Sequence, residues 1–236
     1  MPRFRAFSWP ISKPATKGMQ VAVRRPLWLG LCCWMLALAL LPCNALDRPR
    51  LTQSAQAMGP AAVQRTQALL REMELPTTDE LEKVKGINQF YNRQIQYRED
   101  IDNWGAVDYW ASPMELLQRG SGDCEDYAIA KYFSLIAMGL PPAKMRMVYV
   151  RAQTGGAIQA HMVLAYYPDT NAEPWILDNL ITEIRPASRR PDLAPVFSFN
   201  AEGLWQGVGS ASAGDPTARL SRWREVLSKA KSEGWW

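Results

Sequence analysis

Residues 122–135 read GDCEDYAIAKYFSL. Asp123 is suited to cap a helix whose first turn holds Cys124, Glu125 and Asp126. Ala128, Ile129, Tyr132, Phe133 and Ile136 then recur at helical spacing, and Gly139-Leu140-Pro141-Pro142 stops the run. A stripe this apolar predicts a central, buried helix. Downstream come three strand-like runs: MRMVYV from Met145, HMVLAYYP from His161 and PWILDNL from Pro174. A Cys-bearing helix followed by strands that can pair antiparallel predicts an α+β fold, with the helix on the sheet.

Working outward, Ala61 to Leu75 and Thr78 to Tyr97 carry helical patterns. The second is opened by Thr78 or Asp79 and holds Leu81, Val84, Ile87, Phe90 and Tyr91 on one side. Residues 98–122 read as irregular apart from a short helix over Pro113 to Gln118. Leu46 to Pro60 is polar and is expected to be loose. The domain is therefore placed at residues 61–207, with 208–236 as a C-terminal tail containing a helix over Pro216 to Lys229. Trp235 and Trp236 are read as the frayed end of that tail.

Residues 1–45 contain six basic residues and no acidic one, and Leu27 to Leu41 reads LWLGLCCWMLALALL. This is a signal-peptide pattern with a small residue, Ala45, at the expected cut. Removing six of the 27 basic residues leaves 21 against 23 acidic ones, so the apparent basicity belongs to the leader. No nucleic-acid partner is expected. Cys32, Cys33 and Cys43 leave with the leader, so an exported protein, expected in the periplasm, keeps the single thiol of Cys124 and the single imidazole of His161.

If residues 167–174 connect a hairpin, the position opposite His161 falls near residue 179 or 180, with Asp178 inside the register error. A carboxylate on that strand could reach the imidazole on its neighbour. Cys124 at a helix start, His161 on one strand and Asp178 beside it make a candidate catalytic triad. Cys124 would be the nucleophile, His161 the base that passes the proton on, and Asp178 the group that fixes the imidazole. The N–H of Cys124 is one oxyanion donor; for a second the sequence offers only a guess at Trp104 or Trp110. Asp123, Glu125 and Asp126 oppose a thiolate by like charge, and a bound Ca²⁺ would offset them. The plainer alternative is that these carboxylates simply suit a helix N-terminus. A zinc site from Cys124, His161 and Asp178 lacks any repeated ligand spacing.

GDCEDYAIAKY, AHMVL and LDN, together with DYWASPMELLQRGSG and IRPASRRPDLAPVFSFNAEGLW, resemble the LapG-type bacterial transglutaminase-like cysteine proteases, from about Thr78 to Trp205. The resemblance implies a papain-like or transglutaminase-like core with Cys124, His161 and Asp178 as the triad. It also implies Ca²⁺ held by Asp123 and Glu125, with Asp126 as a further ligand. Its expected substrate is a large repeat-containing surface adhesin, cut near its N-terminus beside two alanines to release cells from a biofilm. The expected partner is the periplasmic domain of an inner-membrane receptor for cyclic-di-GMP that sequesters the protease.

Other classes remain open at the level of sequence. A protein-crosslinking transglutaminase or a peptidoglycan amidase would use the same acyl-enzyme step, and a non-catalytic binding module would leave Cys124 buried and inert. Trp104, Trp110 and Trp205 are candidates to line a groove, and Arg185, Arg189 and Arg190 read as a solvated basic loop. Asp169 and Glu173 read as turn polarity.

Overall fold

The computed structural model describes residues 46–169 and 171–236, so the leader and its three cysteines lie outside the described residues. Chain order begins α1 (Arg48–Met58), α2 (Pro60–Met73), α3 (Glu80–Gln94), β1 (Gln96–Tyr97), α4 (Asp100–Trp104), α5 (Pro113–Arg119), β2 (Ser121–Gly122) and α6 (Cys124–Ala137). It continues with β3 (Met145–Thr154), β4 (Ala157–Tyr166), β5 (Trp175–Leu177), β6 (Arg185–Pro186), β7 (Leu193–Phe199), β8 (Leu204–Gln206), β9 (Ser212–Gly214), α7 (Pro216–Arg219) and α8 (Ser221–Glu233).

Helix α6 is the core element the apolar stripe predicted: every residue from Asp126 to Ile136 is buried. It lies between the other helices and one face of a seven-stranded antiparallel sheet ordered β6-β5-β4-β3-β7-β8-β9. Alternation along the strands sends Met145, Met147, Met162, Leu164 and Leu177 into this core, and Val148, Val150, Val163, Ala165 and Ile176 into a smaller cluster on the far face. Among the described residues no helix is long and apolar enough to cross a membrane.

The start of α6 is fixed by short connections. β1 and β2 pair in parallel, with Gln96 N–H donating to Gly120 and Arg98 N–H to Gly122 at 3.0 and 2.9 Å. This joins the exit of α3 to the approach to Cys124. The Tyr127 hydroxyl donates to the Ile95 carbonyl at 2.5 Å and makes the same connection from within α6. Gly122 is required by crowding: a Cβ there would lie 2.5 Å from Asp126 Oδ2 and 2.6 Å from a Leu116 methyl.

Several expectations are corrected. Residues 46–60 are not loose: they hold α1, whose Leu51 and Ala55 are buried against the rest of the core, with Asp47 capping its first turn. The polar look of this segment is that of an amphipathic surface helix with a narrow buried side. Residues 208–236 are not a tail. The expected helix breaks at Leu220 into α7 and α8, Trp223 and Trp235 are fully buried, and Trp236 stacks on Phe133 with centroids 5.0 Å apart. Glu233, itself buried, accepts from the Ser112 hydroxyl and the Trp235 indole N–H, which fastens the chain end to α5. The sheet also exceeds the three expected strands. β3 and β4 meet in a tight turn at Gly155-Gly156, both at positive φ, where paired glycines favour a two-residue hairpin. β7 was hidden by Pro195, which sits where the β3–β7 register shifts, a position at which a sheet tolerates proline.

Because Trp235 fills the core, Trp235→Ala is expected to lower stability by about 3–5 kcal/mol in urea unfolding followed by far-UV circular dichroism. A change under 1 kcal/mol would mean that the chain end is not integral to the core.

Candidate active site

β4 and α6 bring the chain's one imidazole and the described thiol into a single cleft of about 440 Å³, lined by Cys124, His161, Met162, Trp110, Tyr149 and Phe197 among others. Cys124, half-buried, is the first residue of α6; its sulfur lies beside the Met162 backbone N–H and its thiol donates to Glu125 Oε2 at 3.0 Å. The expected register holds: Leu164 pairs with Leu177 and Tyr166 with Trp175, which extrapolates to residue 180 opposite His161. The strand itself stops at Leu177, earlier than expected. There the chain turns, with Asp178 Oδ1 accepting the N–H groups of Asn179 and Leu180 at 2.7 and 3.1 Å.

That turn delivers Asp178 to His161. Asp178 Oδ1 lies 2.7 Å from His161 Nε2, with both side chains buried, so Nε2 is committed to the carboxylate and Nδ1 is the nitrogen left for other partners. Asp178 Oδ2 accepts from Arg190 Nη2 at 2.7 Å, and the same guanidinium bonds Asp192. The backbone carbonyl of Asp178 is held by Asn92 Nδ2 at 2.8 Å and by the buried ammonium of Lys131 at 3.1 Å. Burial pushes the Asp178 carboxyl up, but bonds from His161, the Leu180 amide and Arg190 outweigh it and hold it well below the usual carboxylate range. Burial pulls the Lys131 ammonium down to about 7, opposed by the Asp178 charge.

The sequence missed both cations. Arg190 was read as part of a solvated loop, yet it is 3% exposed and is the counter-ion of Asp178. Lys131 was hidden within the apolar stripe of α6; a lysine in a helix buried all round is itself the signal that a fixed acceptor lies opposite.

The three acidic residues around Cys124 are gathered as expected, but Asp123 departs from its expected role. It occupies the N-cap position and its carboxylate accepts no cap bond. Instead Asp123, Asp126 and Asp100 of α4 place carboxylate oxygens within 4.8 Å of one another, all three buried, and Asp100, Asp108 and Glu125 form an adjoining set. One oxygen of each buried acid, Asp100 Oδ1, Asp123 Oδ1 and Asp126 Oδ2, has no hydrogen-bond partner among the described residues. The other Asp126 oxygen accepts from Ala111 N–H at 2.7 Å, and Asp100 accepts from Tyr109 N–H, so backbone contacts fix the orphaned atoms in place. Burial and then the charge of Glu125 and its neighbours push the Asp123 carboxyl up to about 10; burial raises Asp126 well up and takes Asp100 to about 6. Burial and Glu125 raise the Cys124 thiol likewise. Buried carboxylates converging with free oxygen lone pairs fit a hard divalent cation. Asp100 and Asp108, from a stretch read only as irregular, are the residues of this cluster that sequence reasoning missed. The zinc alternative does not fit, because both Asp178 oxygens are already engaged, one of them by His161 itself.

Of the candidate aromatic residues, Trp110 lines the cleft; Trp104 stacks under Arg119 and Trp205 under Arg146. As for the guessed oxyanion donors, Trp110 Nε1 is engaged in donating to Asp108, and Trp104 Nε1 is buried with no partner among the described residues.

Residues 60–192 match the sequence profile of the family described as bacterial transglutaminase-like cysteine proteinase BTLCP. The chain belongs to that family. Its fold is shared with solved structures of Legionella pneumophila LapG. An EGTA-treated LapG is 37% identical and aligns over 79% of this chain and 98% of its own, with a TM-score of 0.69. A calcium-bound LapG is 38% identical over 77% and 97%, with a TM-score of 0.67. No curated protein matches the chain significantly. The transglutaminase-like core expected from the sequence is thus the observed one, and the chain is a cysteine proteinase by family rather than an inert binding module.

Arg190→Ala is expected to cost about 3–5 kcal/mol, since it strands the buried Asp178 charge. The pH dependence has a definite sign. Asp178 has a depressed folded pKa, so its contribution is complete above the unfolded value near ~3.9 and is lost as pH falls through the folded one. The stability gap between wild type and Asp178→Asn, which removes the titrating group, followed by urea titrations from about pH 5 to 3, should therefore narrow as pH falls below about 4.

Proposed function

We propose that this cysteine proteinase is an exported, calcium-dependent endopeptidase using Cys124, His161 and Asp178 as its catalytic triad. The observation that carries the reading is the buried His161–Asp178 pair, whose free Nδ1 shares the cleft with a thiol at a helix N-terminus. In the cycle, His161 Nδ1 takes the Cys124 proton as Sγ attacks the peptide carbonyl carbon, then returns it to the departing amine. The thioester is next attacked by water, whose proton passes to Nδ1 and then to the leaving thiolate. Asp178 keeps Nε2–H oriented and stabilises the imidazolium throughout.

Asp100, Asp123, Glu125, Asp126 and Asp108 would hold Ca²⁺, which when bound supplies positive charge against the acids that raise the Cys124 thiol. The orphaned oxygens support this assignment, and so does the calcium-bound LapG relative. Export to the periplasm rests on the leader pattern of residues 1–45. The LapG-type resemblance supports a large surface adhesin as substrate, cut near its N-terminus at a double alanine so that cells leave a biofilm. It likewise supports sequestration by the periplasmic domain of a cyclic-di-GMP receptor.

The test is incubation of residues 46–236 with an adhesin N-terminal fragment containing a double alanine, with calcium or a chelator, read by mass spectrometry. One cut that needs calcium is expected. Cys124→Ala and His161→Ala should each lower kcat/KM by at least about 10³-fold, and Asp178→Asn by less or by a similar factor. Turnover within tenfold of wild type in Cys124→Ala would refute the nucleophile. Asp100→Asn with Asp123→Asn should abolish the heat of calcium binding in calorimetry, and an unchanged isotherm would remove the metal assignment.

A further inference from the structure

Strand β4 is paired fully along one edge only. All ten of its residues are in register with β3, whereas β5 pairs with Leu164, Ala165 and Tyr166 alone. From Ala157 to Val163 the other edge has no strand beside it, and among the described residues no loop backbone bonds to it. Such an edge offers unpaired N–H and C=O groups to any extended chain. Which groups face outward follows from strand parity, since neighbouring residues direct their backbone groups to opposite edges. The Tyr167 N–H, one residue past β4, donates to the Lys144 carbonyl just before β3 at 2.8 Å, so the odd-numbered residues of β4 turn to β3 and Ile158, Ala160 and Met162 share the open side.

The edge leads straight to the thiol. Gln159, Ala160, His161 and Met162 line the same cleft as Cys124. Exposed apolar side chains gather along it: Ile158 is 73% exposed on the strand, and Val107 and Leu180 stand on the cleft wall at 89% and 41%. A hydrophobic, unpaired edge is ordinarily an aggregation hazard, and over Ala157–Ala160 this one is exposed and carries no charge.

We infer that the substrate polypeptide binds as an added strand on this open edge, exchanging backbone hydrogen bonds with Ile158 and Ala160 and bringing its scissile carbonyl to Cys124. The inference rests on the assignment of Cys124 as nucleophile and specifies how the substrate is held. Recognition is then largely through the main chain. Side chains of the added strand alternate between the aromatic side of the cleft, formed by Trp110, Tyr149 and Phe197, and the opposite side. The substrate class is an extended stretch, free of proline at the pairing positions and not already part of a helix or sheet.

The experiment measures the rate at which Cys124 is alkylated by a tetra-alanyl chloromethyl ketone, which carries a peptide backbone, and by iodoacetamide, which carries none. Ala160→Pro removes one edge N–H without touching the β3 bonds. It should slow the peptidyl reagent about fivefold to tenfold, the worth of one hydrogen bond, while iodoacetamide reports an intact thiol. On the unaltered enzyme, single N-methyl groups along the reagent should slow it at alternate positions only. Rates indifferent to both changes, or equally sensitive at every N-methylated position, would overturn the inference. If the proline variant loses iodoacetamide reactivity as well, the N-methyl series alone decides. If neither reagent labels wild-type Cys124, the nucleophile assignment fails, and the edge inference falls with it.

Discussion

Asp178 is the point at which the requirement to satisfy a buried charge and the requirement to build a site coincide. An unpaired carboxylate in this position would cost several kcal/mol, so the fold must surround it with donors. It does so from three directions, with His161 on β4, Arg190 after β6 and the Asn179 and Leu180 amides of its own turn, while Asn92 and Lys131 hold the backbone carbonyl of the same residue. Asn92 belongs to α3 and Lys131 to α6, so the helical layer and the sheet are tied together at the residue that orients the imidazole. Packing of helix on sheet and placement of the histidine are therefore one constraint.

A few residues along α6 the balance is reversed. Lys131 and Arg190 serve Asp178, whereas Asp100, Asp123 and Asp126 crowd the Cys124 end beside Glu125, each with one oxygen that no donor among the described residues satisfies. The helix N-terminus offers partial positive charge, and that is too little for several buried carboxylates. Both oxygens of the Asp178 carboxylate find donors within the protein, whereas the acids at the Cys124 end leave three oxygens without one among the described residues. The thiol stands at the border, its proton held by Glu125.

The sequence was most legible where a single physical pattern ruled. The stripe from Ala128 to Ile136 gave a buried helix because burial on that helix is apolar almost everywhere, and hairpin arithmetic placed Asp178 near His161 because antiparallel pairing admits few registers. Legibility failed where a polar residue took its role from a distant partner. Arg190 looks like any loop arginine until Asp178 is placed opposite it, and Asp100 looks like loop polarity until α4 folds against α6. The N- and C-terminal segments failed for a related reason. α1 buries only Leu51 and Ala55, too thin a stripe to read without its neighbours, and Trp235 is indistinguishable from a frayed end until the aromatic cluster around Phe133 and Trp223 closes over it.

The solitary imidazole has a practical side. With a single histidine in the whole sequence, buried against Asp178, the ring-proton resonances in an NMR spectrum belong to one residue and need no assignment by mutation or labelling. Their chemical shifts follow the charge of the His–Asp pair directly, and any added metal or peptide that disturbs the pair declares itself in one isolated signal. Purification through a histidine tag would bury that signal among six others, so a preparation without one turns the protein's sparse composition into its own spectrometer.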